Sequence, residues 1–170
     1  TPRSSSAASD VYKRQIVLSS NLEIPIKSNL AKTVHEQPLW IFHSNKASED
    51  LKSKWLDIGA RLFECQVDNF GLSIRDIMRI ISGKGITRLL CEGGGKLAAT
   101  LIRSGLVDQM VTFHGGLTIG EDGYPSIGEL GISSLNAAKR WQLDNTLSFG
   151  TEVLNIWHPT DKLVGNQTIS

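Results

Sequence analysis

Residues 89–100 read LLCEGGGKLAAT, and this stretch decides the fold. An apolar run leads into Glu92, three glycines follow at Gly93, Gly94 and Gly95, and Lys96 opens a segment with Leu97, Leu101 and Ile102 at helical spacing. Strand, glycine turn and helix in that order belong to a mainly parallel α/β sheet, where ligands gather beyond the carboxyl ends of the strands. Glycine permits unusual dihedrals and close approach to the main chain. The free N–H groups of a first helical turn, together with the helix dipole, favour an anion. The spacing is not the dinucleotide fingerprint, because Ala98 stands where a third glycine would follow Gly93 and Gly95, and no G-K-[S/T] completes a phosphate loop. Two readings are therefore open for the turn: an anion site, or a tight connection that needs glycine for packing alone. Glu92 also has two readings. It either hydrogen-bonds a substrate or carries a proton, or it faces solvent at a strand end.

The pattern on either side is consistent with this. Residues 16–20 (IVLSS), 39–42 (LWIF), 60–67 (ARLFECQV), 86–91 (ITRLLC) and 109–113 (QMVTF) read as strands. Between them, Ser48 with Glu49 and Asp50 starts a helix whose Leu51, Trp55 and Ile58 share a face and which Gly59 stops. Ser73, with Asp76 at the third helical position, caps a second helix striped by Ile74, Ile77, Met78 and Ile81. The Gly- and Pro-rich residues 114–131 form a long loop, with a turn of helix expected near Leu130, and residues 140–145 and 151–157 pair antiparallel around Gly150.

Composition bounds the possibilities. The chain has 170 residues, 40% of them hydrophobic, enough for one ordinary domain with a core. A net charge of +1 points away from nucleic acid or a membrane surface as the main partner. No apolar run approaches a bilayer span. Cys65 and Cys91 each lie in an apolar stretch, which suits a reducing cytoplasm and offers neither a disulfide framework nor a zinc site. His35, His43, His114 and His158 have no ligand spacing, so no metal is expected. Residues 1–15 (TPRSSSAASDVYKRQ) lack periodicity and a signal-peptide apolar segment. They read as a non-native scar or as a disordered arm. Residues 16–158 read as the domain, and 159–170 as a polar tail.

At residues 86–123 (ITRLLCEGGGKLAATLIRSGLVDQMVTFHGGLTIGEDG) the chain resembles a known family, the C-terminal reductase domain of the bifunctional riboflavin-biosynthesis deaminase-reductase. Glu92-Gly93-Gly94, Gly105-Leu106-Val107-Asp108-Gln109 and Ile119-Gly120 match its motifs, and the opening IVLSSNLEIP, Leu130-Gly131 and Phe149-Gly150-Thr151-Glu152-Val153 also fit. The resemblance covers about residues 16–157. It implies a dihydrofolate-reductase-like three-layer sandwich, with a mainly parallel sheet and an antiparallel C-terminal edge. It further implies a cytoplasmic homodimer that uses NADPH to reduce the ribosyl group of 5-amino-6-(5-phosphoribosylamino)uracil to the ribitylamino product.

Carried over residue by residue, Glu92 matches an acid that contacts substrate. Gly94, Gly95, Lys96, Leu97, Ala98, Ala99 and Thr100 match the turn and helix start that hold NADPH, and Ser20 matches a serine near the cofactor. No catalytic residue is assigned. Ser19 departs from the Asp usual in the family, which puts the local hydrogen bonding in doubt. The family domain also begins well before the segment matched at Ile16, and the zinc signature of its deaminase half, a possible upstream fusion, does not occur in this sequence. The expectation is an N-terminally incomplete reductase domain that does not turn over alone. The alternatives are a non-catalytic nucleotide-binding or dimerisation fragment, or a related pteridine or pyrimidine reductase of the same fold. Trp40, Trp55, Trp141 and Trp157 are expected in core or interface, and Glu121 and Asp122 in solvent.

Overall fold

A computed structural model describes residues 14–161, which divide into two compact units, one up to Arg88 and one from Leu89. The first unit is built on three parallel strands in the order β1 (Gln15–Leu18), β2 (Leu39–His43), β3 (Arg61–Glu64). All five residues of β2 are buried, as a central parallel strand with both faces covered requires. Leu39 and Ile41 join Leu22, Ala31, Val34, Ala47, Trp55 and Ala60 in one core cluster. Phe42 stacks on Phe63 of β3 with ring centroids 5.1 Å apart, and Trp40 meets the same ring at 5.0 Å. Helix α1 (Asn29–Lys32) lies in the β1–β2 connection, where the sequence pattern gave no helix.

Helix α2 (Glu49–Ile58) follows the sequence expectation. The Ser48 hydroxyl accepts from Leu51 N–H at 3.3 Å, Trp55 is fully buried, and Gly59 ends the helix at φ 100°. Residues 60–67 do not form one strand. The ladder stops at Glu64, and a hairpin of β4 (Val67–Asp68) and β5 (Gly71–Leu72) follows, turning through Gly71 at φ 117°. In α3 (Ile74–Gly83), Ile74, Ile77 and Ile81 are buried as their spacing predicts. Ser73 holds the N-cap position without a side-chain cap bond. Asp76 instead turns outward from the helix start and accepts Gln66 N–H at 3.0 Å, so the carboxylate ties α3 to the end of the β3 segment.

The second unit holds α4 (Gly95–Arg103) and an antiparallel sheet in the order β6 (Met110–His114), β8 (Glu152–Pro159), β7 (Trp141–Phe149). The β7–β8 pair turns at Gly150, φ 62°, as its pattern requires, with a register shift between Leu143 and Asn145. Two further expectations fail. Residues 86–91 form no strand among the described residues: no ladder partner lies beside them, and Leu89 and Leu90 are 46% and 84% exposed. Apolar, β-prone residues make a strand only where a neighbour takes up their backbone groups. The long loop has no helical turn at Leu130; short 3₁₀ turns occur instead at Gly120–Asp122 and Leu135–Ala137. Of the terminal segments, Gln15 pairs with Leu39 in β1, while residues 1–13 and 162–170 lie outside the described residues.

Candidate functional site

The glycine turn is the N-terminus of α4. Gly94 is the N-cap, in extended conformation at φ −64° and ψ 172°, and its carbonyl accepts from Leu97 N–H at 3.0 Å and Ala98 N–H at 3.2 Å. The amides ahead of these, on Gly95 and Lys96, belong to the unbonded end that every helix start exposes. The glycines differ in what surrounds them. A Cβ built on Gly94 meets nothing within 4 Å, so that flank of the turn is open. One built on Gly95 lies 2.6 Å from the Pro125 carbonyl oxygen and 3.0 Å from Gly128 N, so loop backbone closes that flank. A Cβ on Gly93 meets only the flexible Leu97 side chain inside 3.0 Å.

Along the helix, the Lys96 side chain is exposed and Ala99 is buried. The Thr100 hydroxyl donates to the Lys96 carbonyl at 3.0 Å. Leu97 and Ala98 are half-buried. Glu92, two residues before the N-cap, is exposed on a segment without regular structure. The structure thus gathers Glu92 and Gly94 through Thr100 on one continuous stretch of the second unit.

Ser20 belongs to the first unit, at the carboxyl end of β1. Its side chain is exposed, and its carbonyl accepts both the Ser44 N–H at 3.0 Å and the Ser44 hydroxyl at 2.9 Å. The chain turns away just after it through Leu22, which sits at φ 60° although fully buried. A left-handed leucine is strained by about 1–2 kcal/mol, and here the core contacts of Leu22 hold it in place.

The same edge carries a groove of about 500 Å³ that the sequence pattern did not show, lined by Asn45, Glu64, Cys65, Gln66, Val67 and Asp76. The Gln66 N–H, and after it the Arg79 guanidinium, hold the Asp76 carboxyl below its ordinary value. Burial, followed by the charges of Asp76 and Glu64, pushes the Cys65 thiol up to about 11. Two carboxylates and no basic side chain line this groove, so of the two places the glycine turn is the better host for a phosphate. Arg103, at the far end of α4, donates to the Glu129 carbonyl at 2.9 Å, a bond across 26 residues that no spacing rule signals.

Comparison with known proteins agrees with this architecture. The family model for the RibD C-terminal domain matches residues 3–155. The riboflavin biosynthesis protein RibD of Actinobacillus pleuropneumoniae is 25% identical over 143 residues, which are 82% of this chain and 37% of that protein. The chain therefore spans little more than a third of this curated relative. Among solved structures, a pyrimidine reductase-like protein of Corynebacterium diphtheriae superposes with a TM-score of 0.72 at 15% identity, covering 86% of this chain and 60% of that one. A diaminohydroxyphosphoribosylaminopyrimidine deaminase/5-amino-6-(5-phosphoribosylamino)uracil reductase of Thermotoga maritima gives 0.59 at 16% identity, over 85% and 37%. The mixed α/β, dihydrofolate-reductase-like fold expected above is thus the fold of this chain.

Proposed function

The chain belongs to the RibD C-terminal domain family, and on that premise we propose that it carries the NADPH site of a 5-amino-6-(5-phosphoribosylamino)uracil reductase of riboflavin biosynthesis. The carrying observation is the open flank at Gly94 beside the unbonded amides of α4. A helix of nine residues has an N-terminal dipole able to hold a phosphate, and the missing side chain at Gly94 leaves room for one to reach the backbone. When bound, NADPH supplies the hydride. The Gly95 and Lys96 amides hold its phosphates, Lys96 adds charge from solvent, and Leu97, Ala98, Ala99 and Thr100 build the helix that aims those amides. Glu92 takes a substrate amine or hydroxyl, with no catalytic proton assigned to it.

In this reading the protein works in the cytoplasm as a homodimer, and the greater length of its RibD relatives is consistent with a deaminase domain fused upstream in the parent protein. No helix among the described residues is long and apolar enough to cross a membrane. The apolar face of the antiparallel sheet supports the dimer: Val111, Phe113, Leu147 and Phe149 are 44%, 69%, 41% and 58% exposed on one side of β6 and β7.

Titration of NADPH into the purified chain, followed by nicotinamide fluorescence, tests the site with Gly94→Asp as control. Asp is a favoured N-cap and its side chain enters open space, so the variant folds while its charge and bulk exclude the phosphate. Saturable binding that is lost in Gly94→Asp supports the reading, and equal binding by both proteins overturns it. Turnover of NADPH with the uracil substrate separates the reductase from a nucleotide-binding fragment, which binds without turnover.

A further inference from the structure

We infer that Arg103 is a positioning residue for the glycine turn and acts through loop residues 125–129; this rests on the cofactor reading above. The loop lies along α4 and is fastened to it at two points. At the helix start, Gly128 N–H donates to the Gly95 carbonyl at 2.9 Å. A Cβ on Gly95 would meet the Pro125 carbonyl oxygen at 2.6 Å and the Ser126 oxygen at 3.2 Å, so the loop would have to shift, while one on Gly128 would sit tightly against Gly95 O at 3.1 Å and Lys96 Cα at 3.4 Å. Two backbones touch without side chains between them. Eight residues further along the helix, roughly 12 Å at the usual rise, the Arg103 Nη1 donates to the Glu129 carbonyl at 2.9 Å. Its Nη2 donates to the Thr100 hydroxyl at 3.3 Å, and that hydroxyl is itself bonded to the Lys96 carbonyl, so the guanidinium is braced by the helix it spans from.

This clamp matters because of what the loop presents to the turn. The carbonyl oxygens of Pro125 and Ser126 stand beside Gly95. Each carries partial negative charge, and one that swung across the Gly95 and Lys96 amides would occupy the place of a phosphate oxygen. Held by Arg103, the loop stays on the Gly95 flank and leaves the Gly94 flank open. An arginine in a last helical turn is often no more than a partner for the dipole. That role needs charge alone, whereas the clamp needs a fork that reaches Thr100 and Glu129 together, which lysine lacks.

The two roles separate in Arg103→Lys and Arg103→Met, measured beside wild type for thermal midpoint, NADPH dissociation constant and exchange of the Gly128 amide by NMR. We expect both variants to exchange the Gly128 amide about tenfold faster through local opening. We expect both to bind NADPH roughly fivefold more weakly, with the midpoint of Arg103→Lys at the wild-type value. Arg103→Lys indistinguishable from wild type in exchange and affinity overturns the inference, since charge then suffices. Faster exchange with unchanged affinity also overturns it, by confining Arg103 to the loop. A wild-type chain that binds no NADPH sinks the cofactor reading itself, a result distinct from either.

Discussion

Gly94 and Gly95 are neighbours with opposite requirements, and substitution by alanine separates them. At Gly95 the new methyl meets backbone oxygen at 2.6 Å and the loop must move. Overpacking of this kind costs about 1–3 kcal/mol, a fall of roughly 2–12 °C in Tm for a chain of this size. Gly94→Ala enters open space at an ordinary φ and loses only the N-cap preference of glycine over alanine, about 0.5–1 kcal/mol, a fall of roughly 1–4 °C. Equal midpoints for the two variants in a thermal melt would count against the contact of Gly95 with the loop. The two cysteines differ as sharply. Cys91 is exposed and Cys65 is buried with its thiol pushed up to about 11. At neutral pH a thiol reagent should therefore modify one cysteine quickly, Cys91, and reach Cys65 only on unfolding; two fast thiols per native chain would contradict this. The pH dependence follows from the same shift. The folded state keeps the Cys65 proton more tightly than the unfolded one, so its contribution is complete below the ordinary thiol value of 9.0 and is lost as pH rises from there to about 11.

At the scale of elements, Asp76 shows a local rule giving way to a tertiary contact. Its position three residues after Ser73 reads as half of a capping box, yet its carboxylate bonds Gln66 N–H and Arg79 instead. Asp76→Asn keeps the size and loses the charge. It should lower stability by about 1 kcal/mol, within the range for a hydrogen bond to a charged group reduced to a neutral one, and should flatten the acid limb of the stability profile. That limb exists because the native carboxyl is held below its ordinary value: the stabilisation is present above the unfolded carboxylate range and fades as pH falls through the lowered value. Urea melts of both proteins across acidic pH check it, and parallel profiles would remove Asp76 from the account. The same contrast explains what was legible. Periodicity and end residues placed α2, α3 and α4, because Trp55, Ile77 and Ile102 answer to spacing within a dozen residues. β2 was legible as an unbroken apolar run, and Gly150 marked the β7–β8 turn. Residues 86–91 were misread because a strand depends on a partner that spacing does not encode, and the β4–β5 hairpin was missed because two-residue strands carry no period. At the site, the glycines announced the turn. The closure of its Gly95 flank by residues thirty places on could not be read, since a backbone-to-backbone contact leaves no mark beyond glycine itself.

At the scale of the whole molecule, the antiparallel sheet leaves several large apolar side chains exposed, among them Val111, Phe113, Leu147 and Phe149. On one face, Phe113 of β6 stands opposite Leu154 of β8, which stands opposite Leu147 of β7; Val111 and Ile156 form the next rung, and Phe149 lies beyond. Monomers seldom leave a contiguous apolar patch of this kind in water, and a second copy brings the same patch to meet it in an isologous pair. The proposed homodimer therefore predicts that light scattering at micromolar concentration gives twice the chain mass. Phe113→Lys, at a position 69% exposed in the single chain, should shift that mass toward one chain with little loss of secondary structure, because the new ammonium reaches water in the monomer and is trapped in the pair. Mass action adds a second readout: the wild-type midpoint should rise with protein concentration, and that of Phe113→Lys should not. A wild-type chain that stays single at tens of micromolar, with a midpoint independent of concentration, would assign the face to some other neighbour and remove the homodimer from the proposed function, while leaving the NADPH site at Gly94 to its own test.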